Sequence, residues 1–416
     1  MTILFLSLYI LLSAAAFFLS WLNLRHLQLH GDEVPSGFED HLDADTLRKS
    51  SAYTVAQNRV GLVESILDTA ILLLFLFCGG LEAYDHVIAP LSDSFIVKGL
   101  LFFLPLYLAQ TILDIPFSLY RNFSLESRFG FNNMTPGLWL TDLLKSTALG
   151  VTLVALLLTG AFALIQFSPA AWWLWVWAFF AVVSLFLMYL SPYLIEPLFY
   201  KFEPIRTEGL EEEIRRVMGK AGLEVSRVLQ VDASRRSRHS NAYFTGIGKV
   251  KRIILFDTLL QQLDQNEVLA VLAHEAGHWK KRHLLKRLFM AEAEALVACY
   301  AAFRLLEWGG IHTMLGMGEV SFPAQMVILG FLFSLVSTIM TPVGSWLSRR
   351  HEREADVFAT ELSGMPEALA TSLVKMSRDN LSNLHPHPLY AAIYYSHPPM
   401  AERVKGLLER AEKNRG

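Results

Sequence analysis

Residues Val271–Met290 read "VLAHEAGHWKKRHLLKRLFM", and they join two kinds of sequence that seldom meet. The first half sets His274 and His278 four positions apart, which on a helix stacks both imidazoles on one face, where they can share an ion. Glu275 lies off to the side, in reach of a metal-bound water rather than of the metal. A zinc ion held there lowers the pKa of that water to about 7, and the glutamate takes its proton. The second half is a basic cluster, Lys280, Lys281, Arg282, Lys286 and Arg287, that runs into an apolar stretch. Helical periodicity from about Asn266 predicts a nearly continuous helix through both halves, with hydrolytic chemistry at a membrane surface.

The composition agrees with a membrane setting. Hydrophobic residues make up 53% of the 416 and charged residues only 18%, with a mean hydropathy of +0.36, which is more apolar than an ordinary soluble domain. The 36 basic and 39 acidic residues nearly balance, so no global field draws the chain to nucleic acid. Cys78 and Cys299, the only cysteines, sit in apolar runs; they exclude a disulfide framework or a cysteine metal site, and buried packing is expected of both.

Seven stretches can cross the roughly 30 Å of hydrocarbon: near 2–22, 64–84, 97–117, 146–166, 171–191, 286–306 and 323–343. The first lacks a basic leader and is long for a signal peptide, so it reads as a retained anchor. Lysine and arginine alternate between the connecting segments: Arg25, Arg48, Lys49, Arg59, Arg121 and Arg128 fall on one side, with the loop 192–285 and the tail, whereas "QFSPA" and "EWGGIHTMLGMGEVSFP" carry none. This puts the N-terminus outside and both large polar segments in the cytoplasm. Glu64, Asp68, Asp114, Glu292 and Glu294 lie in or at the ends of spans, where charge is costly unless it faces a partner or internal water.

The expected organisation is therefore a membrane domain at 1–191 and 286–343, and a polar domain assembled from 192–285 and 344–416. The first polar piece reads as α/β: a helix in "TEGLEEEIRRVMGKAGL", short strands in "RVLQVDA", "NAYFTGIG" and the first half of "VKRIILFDTLL", and a turn at Gly246–Gly248. The tail reads as helices at 345–363, 366–380 and 399–413.

A catalytic zinc needs a third protein ligand. Lys281 and Leu284 occupy the positions where a metzincin has Gly and His, which excludes that class. In "SRRHEREADVFA", 348–359, Glu352 and Asp356 share a helix face; Glu352 is the leading ligand, with His351 and Glu354 as rivals, and Asp356 can accept a hydrogen bond from the outer nitrogen of a ligating histidine. Peptide hydrolysis also needs a group at the developing oxyanion. His397 in "YYSHPPM" competes for that place with Tyr390, Tyr394, Tyr395, His385 and His387. "SNAYFTG" fits either an edge strand that pairs with substrate backbone or an ordinary hairpin strand, and Arg403 reads by default as a solvated charge.

Beyond these local readings, the chain resembles the type I CAAX prenyl proteases, an integral-membrane zinc metallopeptidase family, over nearly its whole length. The likeness is carried by "HEAGHWKKRH", "SRRHEREADVFA", "SNAYFTGIGKVKRIILFDTLL", "YYSHPPMAERV", "EPLFYKF" (196–202) and "ESRFGFNNMTP" (126–136). The resemblance implies one zinc held by His274, His278 and Glu352, Glu275 as general base, Asp356 behind a histidine ligand and His397 near the scissile carbonyl. It further implies that Asn241 and Ala242 contact the substrate strand and that Arg403 lies near the site. The implied fold is mainly α: seven transmembrane helices around a water-filled chamber, capped on the cytoplasmic side by a gluzincin-like α/β domain. The expected partners are the lipid bilayer and a peptide or membrane-associated protein, prenylated if the processing role holds, with no nucleic acid. Short outer loops and a tail, "AEKNRG", without a lysine-based retrieval signal favour a bacterial plasma membrane over the endoplasmic reticulum. The competing functions are membrane-protein quality control by the same chemistry and, in another class, a metal-binding transporter or channel.

Overall fold

The computed structural model describes residues 1–245 and 250–415, so the turn expected at Gly246–Gly248 lies outside the described residues. Helix dominates. The first five long helices are α1 (Thr2–His30), α2 (Ala44–Phe77), α3 (Phe95–Tyr120), α4 (Pro136–Phe167) and α5 (Trp172–Leu194). They expose side chains that water would reject, such as Ile3 at 80% and Phe167 at 81%, and a hydrocarbon solvent explains both the exposure and the internally satisfied backbone. Cys78, expected to be packed, is exposed at the end of α2.

The polar pieces contribute a sheet and its covering helices. A four-stranded sheet runs in the order β1-β2-β4-β3, with β1 at Phe202–Pro204, β2 at Glu224–Val231, β3 at Ala242–Thr245 and β4 at Val250–Phe256. β2 and β4 are parallel; β1 and β3 flank them antiparallel, which makes β3 an edge. Three of these strands coincide with expected ones, while β1 was not anticipated. Helices α6 (Leu210–Lys220), α7 (Gln265–Lys280), α8 (His283–Glu307), α9 (Phe322–Ser363), α10 (Pro366–Asp379), α11 (Pro388–Tyr394) and α12 (Met400–Arg415) follow. Leu210, Ile214 and Met218 of α6, Ile253 and Leu255 of β4, Val268 and Leu272 of α7, Leu373 of α10 and Val404 of α12 bury together. Phe38 and Leu42, from the α1–α2 connection, join the same core. Removing this apolar surface from water is the main force that assembles sequence-distant segments.

Two expectations about the helices are corrected. The segment 271–290 is not one helix: α7 ends at Lys280 and α8 begins at His283, with Arg282 between them at φ 57° and ψ 35°. Conversely, the tail helix expected at 345–363 is no separate element but the continuation of the last span, in the 42-residue α9. Among the described residues six helices are long and apolar enough to cross a membrane. The seventh expected span falls in α8, whose Lys286, Arg287, Glu292, Glu294 and Arg304 lower its apolar content.

α7 is fixed at its start by a capping box: Glu267 N donates to Asp264 Oδ1 at 3.0 Å and Asp264 N donates to Glu267 Oε2 at 2.9 Å. Such caps contribute about 1 kcal/mol. Lys375 of α10 also donates to Glu267, at 2.8 Å. Further along, α7 crosses α9 so closely that a Cβ at Gly277 would stand 3.0 Å from Ala355 Cα and 3.1 Å from its carbonyl oxygen. The missing side chain permits the crossing that brings the motif of α7 against that of α9. Gly277→Val is expected to cost about 1–3 kcal/mol through overpacking against backbone, read as a lowered melting temperature. Gly219→Ala, whose Cβ meets nothing within 4 Å, should show no loss, because alanine is the better helix former.

Candidate metal centre

The crossing of α7 and α9 brings His274, His278 and Glu352 together, with one donor atom from each within 4.8 Å of the others. The two Nε2 atoms are 3.2 Å apart. Glu352 Oε2 is 3.4 Å from His274 Nε2, and Oε1 is 3.3 Å from His278 Nε2. Hydrogen-bond partners fix the tautomers. His274 Nδ1 stands 2.8 Å from Asp356 Oδ1, and a carboxylate only accepts, so Nδ1 carries the proton and Nε2 presents a lone pair. His278 Nδ1 faces the ring of His283 at 3.1 Å. Two imidazole lone pairs and a carboxylate thus converge, with Glu352 Oε2 buried among His397 Nδ1 at 2.8 Å, His274 Nε2 at 3.4 Å and Arg403 Nη1 at 3.6 Å. Such a donor set needs a cation at its centre, and two histidines with one carboxylate suit zinc.

Without a metal, the only remedy is a proton. Burial pulls the His274 pKa down, but the hydrogen bonds its ring donates to Asp356 and Glu352 outweigh it and raise the value to about 9. Burial pushes the Asp356 carboxyl up, while His274 and Arg403 hold it down at about 2. Arg403, far from being a solvated charge, is 7% exposed. It grips Asp356 with two bonds, Nε to Oδ2 at 2.9 Å and Nη2 to Oδ1 at 2.6 Å, and its Nη1 lies 3.6 Å from Glu352. Arg403 thereby holds the carboxylate behind His274 rather than reaching outward.

The rival residues separate cleanly. His351 stacks on His283 at 4.1 Å, and Glu354 engages His283 and Arg350, so neither faces the ligand cluster. His397 Nδ1 is 2.8 Å from Glu352 Oε2 with its side chain 56% exposed. Tyr390, Tyr394 and Tyr395 line the same cavity of ≈ 540 Å³ as His397. His385 instead bonds to the Glu33 carbonyl at 2.7 Å, and His387 caps its own helix. Glu275 is half-buried next to His274. Asn241 is exposed, and Ala242 begins the edge strand β3, which packs beside α7.

Several contributors were not legible in advance. Arg349 donates to the carbonyls of Ala391 at 3.1 Å, Ala392 at 2.8 Å and Tyr395 at 2.7 Å, gathering the orphan carbonyls at the end of α11 and so fixing where His397 emerges. The Asn132–Asn133 loop zips onto residues 234–238: Asn133 N donates to Arg236 O at 3.1 Å, Arg238 N donates to Phe131 O at 3.1 Å, and Asn133 Nδ2 donates to Ser234 O at 2.8 Å. Arg236 forks onto Asp142 at 2.8 and 3.0 Å, and Tyr243 donates to Glu196 at 2.6 Å. The quoted segments "ESRFGFNNMTP" and "EPLFYKF" therefore hold the approach to β3 and β3 itself. Their spacing gave no sign of that, because the partners are far apart in sequence, 47 residues for Tyr243 and Glu196 and 101 for Asn133 and Ser234.

Comparison with known proteins accounts for both halves of the chain. Residues 23–201 match the model for the CAAX prenyl protease N-terminal region, five membrane helices, and residues 204–411 match peptidase family M48. CAAX prenyl protease 1 of Saccharomyces cerevisiae is 31% identical, covering 96% of this chain and 94% of the yeast protein. CAAX prenyl protease 1 homolog of Arabidopsis thaliana is 32% identical with 94% of each chain covered. The crystal structure of S. mikatae Ste24p superposes with a TM-score of 0.87 at 30% identity, covering 95% of this chain and 97% of that one. A transporter or channel is thereby set aside, and the chain belongs to the CAAX prenyl protease branch of peptidase family M48, as a multi-pass integral-membrane metalloprotease.

Proposed function

We propose that the protein is a zinc endopeptidase that cleaves membrane-associated substrates, prenylated CAAX peptides among them, at the cytoplasmic face. The observation that carries this reading is the convergence of two histidine lone pairs and a buried carboxylate beside a glutamate and an open, histidine-lined cavity. His274, His278 and Glu352 would hold zinc, which when bound supplies a Lewis acid and acidifies an attacking water. Glu275 takes the proton of that water and later returns it to the leaving amine. Asp356, held by Arg403, keeps His274 in the tautomer whose Nε2 is free. His397 turns Nδ1 towards Glu352, and with its ring carrying both protons it can donate Nε2–H to the developing oxyanion of the substrate.

The cavity wall supports a peptide substrate. Asn23, Gln57, Asn58, Asn380 and Asn383 line it together with tyrosines, giving neutral donors and acceptors that match a peptide backbone without demanding charge. Asn241 and Ala242 stand at the start of edge strand β3, where an extended substrate can add a strand. Because Gln57 and Asn58 belong to α2, the cavity opens towards the membrane helices, as a lipid-borne substrate requires. We also read α8 as a seventh crossing. Its polar side chains suit a wet interior, and it packs along α5 through the rings of Trp173 and Tyr300, with Trp177 Nε1 donating to the Glu292 carbonyl at 3.0 Å.

Glu275→Gln should retain zinc while reducing peptide turnover by about 10²-fold or more. Metal analysis together with cleavage of a fluorogenic peptide checks this, and unchanged turnover rules out the assigned base. A prenylated CAAX peptide should be cut in strong preference to its unprenylated form; equal rates would favour quality control instead. A pH test follows from His274. In the metal-free protein its proton stabilises the fold fully below about pH 6.5, and this contribution fades as pH rises to about 9. Metal-free protein should therefore melt at a lower temperature at pH 9 than at pH 6.5, and apparent zinc affinity should rise over the same interval, because zinc displaces that proton.

A further inference from the structure

The two histidines of the candidate centre are held differently. His274 has a carboxylate directly behind it, Asp356 at 2.8 Å. His278 has none; behind it stands His283, 2% exposed, with Nδ1 3.1 Å from His278 Nδ1. His283 Nε2 in turn lies 3.1 Å from Glu354 Oε2. Arg350 Nε donates to the other oxygen of Glu354 at 3.1 Å, and the His351 ring lies flat against that of His283, 4.1 Å away with 11° between planes.

The chain of contacts has one consistent proton assignment. Glu354 only accepts, so His283 Nε2 bears a proton. In a neutral imidazole that leaves His283 Nδ1 as an acceptor. His278 Nδ1 must then be the donor, which leaves the lone pair of His278 on Nε2, the atom facing His274 and Glu352. The tautomer of His278 is thus set from Glu354, two residues away along the chain of hydrogen bonds.

The backbone is bent to make this contact. On an unbroken helix, residues five apart point about 140° away from each other around the axis, and His283 would turn its back on His278. Arg282 in the left-handed region prevents that by ending α7 and restarting the chain as α8. A non-glycine residue in that conformation is strained, and the break it makes is what lets His283 face His278.

We propose that His283 is a positioning residue for zinc binding, holding His278 in its metal-ready tautomer and orientation, with Glu354 fixing His283 in turn. The inference rests on the reading that His278 ligates zinc. The bland alternative is that His283 merely fills space beneath His351, and the two make different predictions for a variant that keeps only the acceptor atom. In His283→Asn the side-chain oxygen can occupy the place of Nδ1; in His283→Leu the volume remains and the acceptor is gone.

The test measures zinc affinity of the purified full-length protein by competition with a chromophoric chelator, alongside the melting temperature of the metal-free form. His283→Leu should bind zinc about 10–100-fold more weakly than wild type, whereas His283→Asn should recover most of that loss. Glu354→Leu, at a partly exposed position, should weaken zinc binding in the same direction with an unchanged metal-free melting temperature. Combined with His283→Leu it should add little, because both substitutions break one chain. The inference is overturned if His283→Leu matches wild type, if Asn falls as far as Leu, or if Glu354→Leu leaves zinc affinity unchanged. If His283→Leu fails to fold, the Asn and Glu354 variants decide the matter. A wild type that binds no zinc defeats the peptidase reading itself, whereas tight wild-type binding with equally tight His283→Leu defeats only this inference.

Discussion

Donor atoms of His274, His278 and Glu352 lie within 4.8 Å of one another, an arrangement that would hold a cation, and much of the surrounding structure serves to keep them together. Neither α7 nor α9 could do this alone. Two ligands four residues apart on one helix supply half a coordination sphere, and the third must come from a helix that can approach backbone to backbone. Gly277 opposite Ala355 allows that approach, and the core beneath α7, from Val268 to Ala276, fixes its rotation. Asp356 and Arg403 then complete a buried charge arrangement in which each carboxylate has a positive partner. That satisfies the rule that buried charge survives only when paired.

Around this centre the sheet and the cavity are arranged by contacts that cross the boundary between the two halves of the chain. Asn133, just ahead of α4, and Asp142, within it, hold residues 234–236 just ahead of the edge strand. His239 continues the link, with Nδ1 3.0 Å from Asn380 and the ring stacked on Phe131. Tyr53 of α2 donates to Glu126 at 2.6 Å, and Glu126 in turn faces His239 at 3.3 Å. The side chains that line the cavity are therefore not a surface laid on the peptidase unit but the seam between it and the membrane helices.

What could be read from the sequence was local in period. The i, i+4 pairs His274/His278 and Glu352/Asp356 follow from helix geometry, the strands β2, β3 and β4 from short β-forming runs bounded by turn residues, and most spans from apolar length. What could not be read depended on tertiary contact or on a break without the usual punctuation. Arg282 adopts a left-handed conformation where glycine or asparagine would have announced it, so "KKRH" reads as nearly continuous helix and gives His283 no role. The last span and the tail helix at 345–363 read as two elements, yet α9 runs through Pro342 without a break, since neighbouring helices can accommodate a proline in a long membrane helix. Arg349 looked like one basic residue among several; only the fold shows that it collects three carbonyls from α11. Resemblance to a family supplied the choice of Glu352 over its neighbours, and the stacking of His351 on His283 gives that choice its physical reason.

α9 begins among apolar side chains and ends in the peptidase core, carrying Glu352 about nine residues beyond the expected end of its span, or about 14 Å along the axis at 1.5 Å per residue. Its partners in the cluster ride on α7, which is buried along most of its length in the core shared with the sheet. The candidate donor set is thus divided between a strut that extends from an apolar span and a cradle packed outside that span. A helix tilts with the thickness of the bilayer it crosses, so a change in lipid that slanted the strut would be felt as a change in the spacing of Glu352 from the two histidines.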